Sequence, residues 1–277
     1  MPNYKIVTDS SADLLTLPDA PFATVPLKIV AGEREFVDDN TLDVSNMLQY
    51  LKSYTGRSGS ACPNVGEWME AFGDADSVFC VTITSGLSGS YNAACIAARE
   101  YMQTYPERRV FVVDSLSTGP ESALLIEKLR NLILEGLSFD EIIEKIGAYA
   151  QKTHLLFALE SLHNLANNGR VNPIVAKLAG LIGIRVVGAA SAQGTLEIIE
   201  KVRGSARAID SLFNNMKAFG YIGGKVRIHH CENENLAQNM AAKIRTEYPN
   251  AEIVISQTRA LCSFYAERGG LLIGYES

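Results

Sequence analysis

The sequence predicts a two-domain α/β protein, with a parallel α/β domain over residues 1–153 and a second α/β domain with a mixed, partly antiparallel sheet over 154–277. Three observations carry this. A chain of 277 residues that is 47% hydrophobic and 20% charged is long enough for one large core or two modest ones. In the first half, β-rich runs alternate with segments of helical period, as βαβ units require. In the second half, two strand-like runs flank Gln193-Gly194, which suits an antiparallel hairpin rather than a crossover.

The elements follow in order. Strands are expected at Tyr4–Thr8, Ala23–Val30, Val78–Thr84 and Val110–Asp114, with helices at Ser45–Tyr54, Val65–Phe72, Tyr91–Thr104 and Leu116–Glu135. Gly136 is placed to stop the last of these, and Ser138 with Glu141 has the spacing of a capping box opening a helix over Ser138–Lys152. From His154 the texture changes. Leu155–Leu159 reads as a strand, Leu162–Asn168 as a short helix closed by Gly169, and Pro173–Leu181 as an apolar helix carrying Ala and Gly. Ile184–Ala189 and Leu196–Lys201 form the hairpin, and Ala206–Phe219, Val226–His230, Leu236–Tyr248, Ile253–Gln257 and Leu271–Tyr275 complete the second set.

Composition also excludes function classes. A net charge of −6, from 25 Lys+Arg against 31 Asp+Glu, offers no diffuse positive field, so nucleic acid is not an expected partner. No apolar run is long enough for a transmembrane helix and the N-terminus has no leader pattern, so the expected location is cytoplasmic. The five cysteines are odd in number and lack paired spacing, which argues against a disulfide framework or a zinc site. His229 and His230 are neighbours on a strand and would point to opposite faces, so no metal site is expected there. Asp9-Ser10-Ser11-Ala12-Asp13 follows the first strand and suits either a divalent cation held by its carboxylates or a short helix capped by Ser10 or Ser11.

The strongest local signal is Thr84-Ser85-Gly86-Leu87-Ser88-Gly89-Ser90, which lies between a buried-looking strand and a helix. Free N–H groups at such a junction favour an anion, though turn and cap roles account for the same residues. The segment misses the Gly-x-Ser-x-Gly elbow by one residue, because Ser90 stands in place of the last glycine. A phosphotransferase or hydrolase using Ser85–Ser90 therefore stays open, against a binding protein in which nothing deprotonates Ser88. Arg170, in a Gly-containing turn after Asn167-Asn168, is placed to meet an anion or a partner.

Read together, these segments resemble the DegV family over almost the whole chain. Ile6-Val7-Thr8-Asp9-Ser10-Ser11-Ala12-Asp13-Leu14, Val25-Pro26-Leu27 with Asp38-Asp39, Thr84–Tyr91, Val113-Asp114-Ser115, Leu162–Leu165 with Asn168-Gly169-Arg170-Val171, and Gly194-Thr195-Leu196 with Lys201-Val202-Arg203 match it in order. The resemblance implies a fatty-acid carrier with its ligand in the cleft between the domains, presented to a fatty acid kinase, with no catalysis of its own and no cofactor beyond the lipid. It also implies site residues. Ser60, in Ser60-Ala61-Cys62-Pro63, stands for the first hydroxyl of the family's Thr-Ser-x-Pro loop, and Ser88 for the serine of its Leu-Ser-Gly element. Ser85 and Gly89 complete the expected carboxylate cradle, and Arg170 and Arg203 are expected partner contacts.

Two departures stand out. Ala61 replaces the loop's second hydroxyl, and Tyr265-Ala266-Glu267-Arg268-Gly269 occupies the place of the family's His-x-Gly-Pro-Gly, so an ungapped match puts the Tyr265 hydroxyl where the imidazole would be. The tail pocket is expected from Ile83, Phe157, Leu159, Ile174 and Leu178, since small residues among apolar ones leave room for a chain.

Overall fold

The computed structural model describes residues 3–172 and 183–277. Its first part is a parallel sheet of β2 (Phe22–Val25), β1 (Tyr4–Asp9), β6 (Ser77–Thr82) and β7 (Arg109–Asp114), in that spatial order. Helices α2 (Val65–Phe72) and α3 (Ser90–Thr104) cover one face through Trp68, Phe72, Ala94 and Tyr101, and α4 (Gly119–Leu134) and α5 (Phe139–Ala150) cover the other. A sheet buried on both faces needs continuous apolar strands, and all six residues of β6 are buried. Ser138 does cap α5 in a capping box with Glu141, and Gly136, at φ 76°, ends the helix before it.

The second part is a six-stranded mixed sheet in the order β10 (Leu196–Arg203), β9 (Ile184–Ala190), β8 (Thr153–Leu159), β13 (Leu271–Glu276), β11 (Val226–His230) and β12 (Ile253–Gln257). β9 and β10 are the expected antiparallel hairpin. Along β8 the side chains alternate as the pleat demands: Leu156 and Ala158 pack under α7 (Ser205–Ala218) and α8 (Glu234–Glu247), while Leu155, Phe157 and Leu159 face the opposite way.

Two expectations are corrected. Ala23–Val30 is not one strand: β2 ends at Val25, and β3 (Lys28–Ala31) belongs to a separate antiparallel sheet with β4 (Arg34–Val37) and β5 (Ser58–Ala61). Pro26 has no N–H for a ladder, and the Leu27 N–H is drawn off to Ser10 Oγ at 3.0 Å. The helix expected from Leu116 begins at Gly119, because Leu116 itself sits at φ 50°, outside helical backbone.

The three-stranded sheet belongs by sequence to the first half and by packing to the second. Leu27, Ile29 and Phe36, with Met47 and Leu48 of α1 (Val44–Ser53), share one core with Leu155, Phe157 and Leu272 and with α9 (Ala260–Ala266).

Candidate lipid-binding cavity

This shared core is not completely filled. Between the two large sheets lies a slot with about 650 Å³ of unfilled space, its open mouth included. Its walls are apolar: Leu155, Phe157, Leu159 and Leu272 from the six-stranded sheet, with Ile83 and Leu165. Its polar side chains are Ser60, Ser88, Thr118, Arg170, Cys262 and Tyr265. Among the described lining residues there is one cation, and there is neither a carboxylate nor an imidazole.

Each polar group is fixed by a different part of the chain. Ser60 lies on β5, opposite Ile29 of β3, and its Oγ is 2.8 Å from the Tyr265 Oη. Tyr265 is carried by α9, whose start is pinned by two carboxylates from the first half. Asp38 accepts from the N–H groups of Ala260 and Leu261, both at 3.2 Å, and Asp13 accepts from the Arg259 N–H at 2.7 Å. Asp38 also pairs with the Arg259 guanidinium at 3.2 Å, although burial still pushes its pKa up to about 6.

Ser88 belongs to the loop between β6 and α3, and its Oγ accepts from the Ser90 N–H at 3.3 Å. Behind it, Asp9 is fully buried and accepts from Ser90 Oγ at 2.6 Å, from the Ile83 N–H at 3.0 Å and from Ser11. Burial raises the Asp9 pKa against the pull of these donors. Asp9, and not Ser10 or Ser11, caps the 3₁₀ turn Ser10–Ala12 and ties it to the serine loop. Asp13 accepts from the His229 ring at 2.8 Å, between the two halves.

Arg170 reaches the mouth from the turn after α6 (His163–Asn167). Its Nε donates to the Leu87 carbonyl at 3.2 Å and its guanidinium carbon lies 5.8 Å from the Tyr265 ring centre. It therefore bridges the serine loop and α9 and presents positive charge beside the hydroxyls. Cys262 and Thr118 lie deeper. The Cys262 Sγ donates to the Ser11 carbonyl at 3.3 Å, and burial pushes this thiol well above the usual range.

Of the residues singled out from sequence, Ser60, Ser88, Tyr265, Arg170, Ile83, Phe157 and Leu159 line this one cavity. Ser85 and Gly89 do not. Ser85 is exposed, its N–H donating to Asp114 at 3.1 Å, and Gly89 is the cap residue of α3. Arg203 is exposed at the end of β10, outside the lining. Ile174 and Leu178 lie outside the described residues. Sequence reasoning missed Thr118 and Cys262, and gave Asp38 no role, because each is placed by contacts between distant segments.

Glu267, just after α9, has φ 55°, a conformation that favours glycine. Its side chain holds it there, accepting from Ser161 Oγ at 2.8 Å and from the Asn164 N–H at 3.1 Å.

Among the described residues, no group of three His, Cys, Asp or Glu side chains could hold a metal ion, and no helix is long and apolar enough to cross a membrane.

A family model described as "Uncharacterised protein, DegV family" matches residues 3–277, and the chain belongs to that family. A DegV domain-containing protein of Streptococcus pneumoniae is 43% identical over 277 residues, with 99% of each chain covered. Among solved structures, a DegV family protein from Eubacterium eligens loaded with heptadecanoic acid is 45% identical with a TM-score of 0.97, covering 99% of both chains. The Streptococcus pneumoniae Fatty Acid Kinase (Fak) B3 protein loaded with linoleic acid is 43% identical, also with a TM-score of 0.97 and 99% coverage of both.

Proposed function

We propose that this protein binds one long-chain fatty acid in the cavity, with the tail against Leu155, Phe157, Leu159 and Ile83 and the carboxylate among Ser60, Ser88, Tyr265 and Arg170, and presents it to a fatty acid kinase. The observation that carries this is the lining itself, an apolar slot whose polar groups are hydroxyls, a thiol and one guanidinium. That set suits a single negative head on an apolar chain, and the lipids held by the two solved relatives agree with it.

The energetics divide between the two ends. Burying a tail contributes about 0.8 kcal/mol per methylene, so about fifteen methylenes offer on the order of 12 kcal/mol before the costs of association. Each hydrogen bond to a carboxylate adds about 1.5–3 kcal/mol, which makes the hydroxyls orienting groups more than sources of affinity.

The same lining supports a carrier without catalysis. A serine nucleophile needs a base within hydrogen-bond reach, and neither an imidazole nor a carboxylate shares the described lining with Ser88. We assign the phosphorylation step to the partner, with Arg170 and the exposed Arg203 as contacts for it and the lipid as sole bound group. A carrier serving a phosphate donor works in the cytoplasm.

Native mass spectrometry of the purified protein, followed by identification of what denaturation releases, tests this reading. One fatty acid per chain, depleted in Ser60→Ala/Ser88→Ala, is expected. A chain that stays empty after incubation with free fatty acids of several lengths would overturn it.

A further inference from the structure

A second concavity lies beside the cavity, and none of its lining residues lines the cavity itself. It is a groove with about 1720 Å³ of unfilled space, its open side included, running between the end of α1 and the turn into β5 on one side and α6 with α9 on the other. Lys52, Arg57 and Arg268 line it, with His163, against one acidic side chain, Glu267. That acid is engaged by Ser161 and the Asn164 N–H. Arg268 pairs with Glu232 at 2.7 Å, whereas among the described residues Lys52 and Arg57 have no carboxylate partner. In a chain of net charge −6, unpaired cations gathered in one groove are a local inversion of sign.

The groove also has length. A shallow extension lined by Gln49, Lys52, Ser53 and Arg268 continues it through two of the same cations. Lys52 and Arg57 come from one wall of the groove and Arg268 from the other, so an acidic segment lying in it meets cations on both sides. The trough shares its walls with the lipid cavity: β5 contributes Ser58 here and Ser60 there, α6 Asn164 and Leu165, and α9 Phe264 and Tyr265. An occupant would rest against the elements that hold the head of the ligand.

We infer that this groove is a docking surface for an acidic segment of the protein that receives the fatty acid. This rests on the carrier reading above, and it adds a surface distinct from the Arg170 mouth.

The test uses the full-length, lipid-loaded protein and a fluorescein-labelled decaglutamate peptide, followed by anisotropy. Binding should fall steeply with added salt and weaken at least about tenfold in Lys52→Glu/Arg57→Glu. The variant Arg99→Glu/Arg245→Glu, which changes net charge equally at exposed positions on α3 and α8, should bind like the parent. Absence of binding, equal weakening in both variants, or preferential capture of ATP or of phosphatidylglycerol vesicles by the same cations would overturn the inference. Lipid occupancy by native mass spectrometry is read in parallel. An intact lipid with no peptide bound rejects the groove alone, whereas an empty cavity rejects the carrier reading first.

Discussion

Ser60 on β5 and Tyr265 on α9 are 205 residues apart in sequence and share a hydrogen bond of 2.8 Å at the cavity. One of the two hydroxyls uses its proton in this bond and the other keeps a proton to donate to a carboxylate, and each holds the other in place. The pair couples the three-stranded sheet to the helix clamped by Asp13 and Asp38, so this end of the cavity is assembled only when the two halves of the chain are together.

The first prediction follows from that pairing. Tyr265→Phe and Ser60→Ala should each weaken fatty-acid binding by about tenfold, the equivalent of about 1.4 kcal/mol, without abolishing it, because the tail supplies most of the affinity. The double variant should lose less than the sum of the two, since either change alone already breaks the shared bond. Titration of delipidated protein with a single fatty acid checks both statements.

Glu121 gives a pH prediction. It sits in the first turn of α4, 6% exposed, accepting from Thr153 Oγ1 at 2.8 Å, and burial pushes its pKa up to about 7 from the ordinary glutamate value of 4.5. The folded state then holds a proton that the unfolded chain has released between those two values, so this group costs stability as pH rises from about 4.5 to about 7 and levels off above. The full cost is on the order of 3 kcal/mol. Glu121→Gln should flatten that slope and raise the melting temperature at pH 8 more than at pH 5, as seen by thermal unfolding across pH. A parallel decline in both proteins would show that Glu121 is not the group responsible.

The cysteines differ in reach. Cys62 is exposed, while Cys262 is buried in the cavity wall with its thiol pushed well above the ordinary range. Iodoacetamide should alkylate Cys62 first and leave Cys262 untouched in the loaded protein. Peptide mapping by mass spectrometry distinguishes the two.

Gly194 marks where the β9–β10 hairpin meets the serine loop. It has φ 71°, its carbonyl accepts from Thr84 Oγ1 at 2.9 Å, and a Cβ there would come within 2.0 Å of that same Oγ1. Gly194→Ala should destabilise the protein by about 1–3 kcal/mol, from positive φ and the clash together. Denaturant unfolding measures it, and a neutral result would mean that the hairpin does not bear on the loop.

Much of this was legible in the sequence, and for physical reasons. The boundaries of α2, β11 and β12 follow from hydrophobic period and caps, which are local. The capping box at Ser138 and the stop at Gly136 depend on four or five residues each. Ser88 stood out within its own serine-rich strand-to-helix segment, whereas Ser60 came from the family resemblance, since nothing in its neighbourhood joins it to Tyr265. What stayed hidden depends on long-range pairing. β4 and β5 are short, and Ser58-Gly59-Ser60-Ala61 carries no apolar alternation, so only its ladder with β3 makes it a strand. Ser85 looked equivalent to Ser88 in the loop, yet the turn sends its N–H to Asp114 and leaves it in solvent.

The most direct measurement is a crystal structure of the protein loaded with a single long-chain fatty acid. The account predicts one lipid per chain, its carboxylate within hydrogen-bond distance of Ser60, Ser88 or Tyr265 and its tail along Leu155, Phe157 and Leu159. A lipid bound elsewhere, or lying reversed with its carboxylate among those apolar side chains, would contradict it.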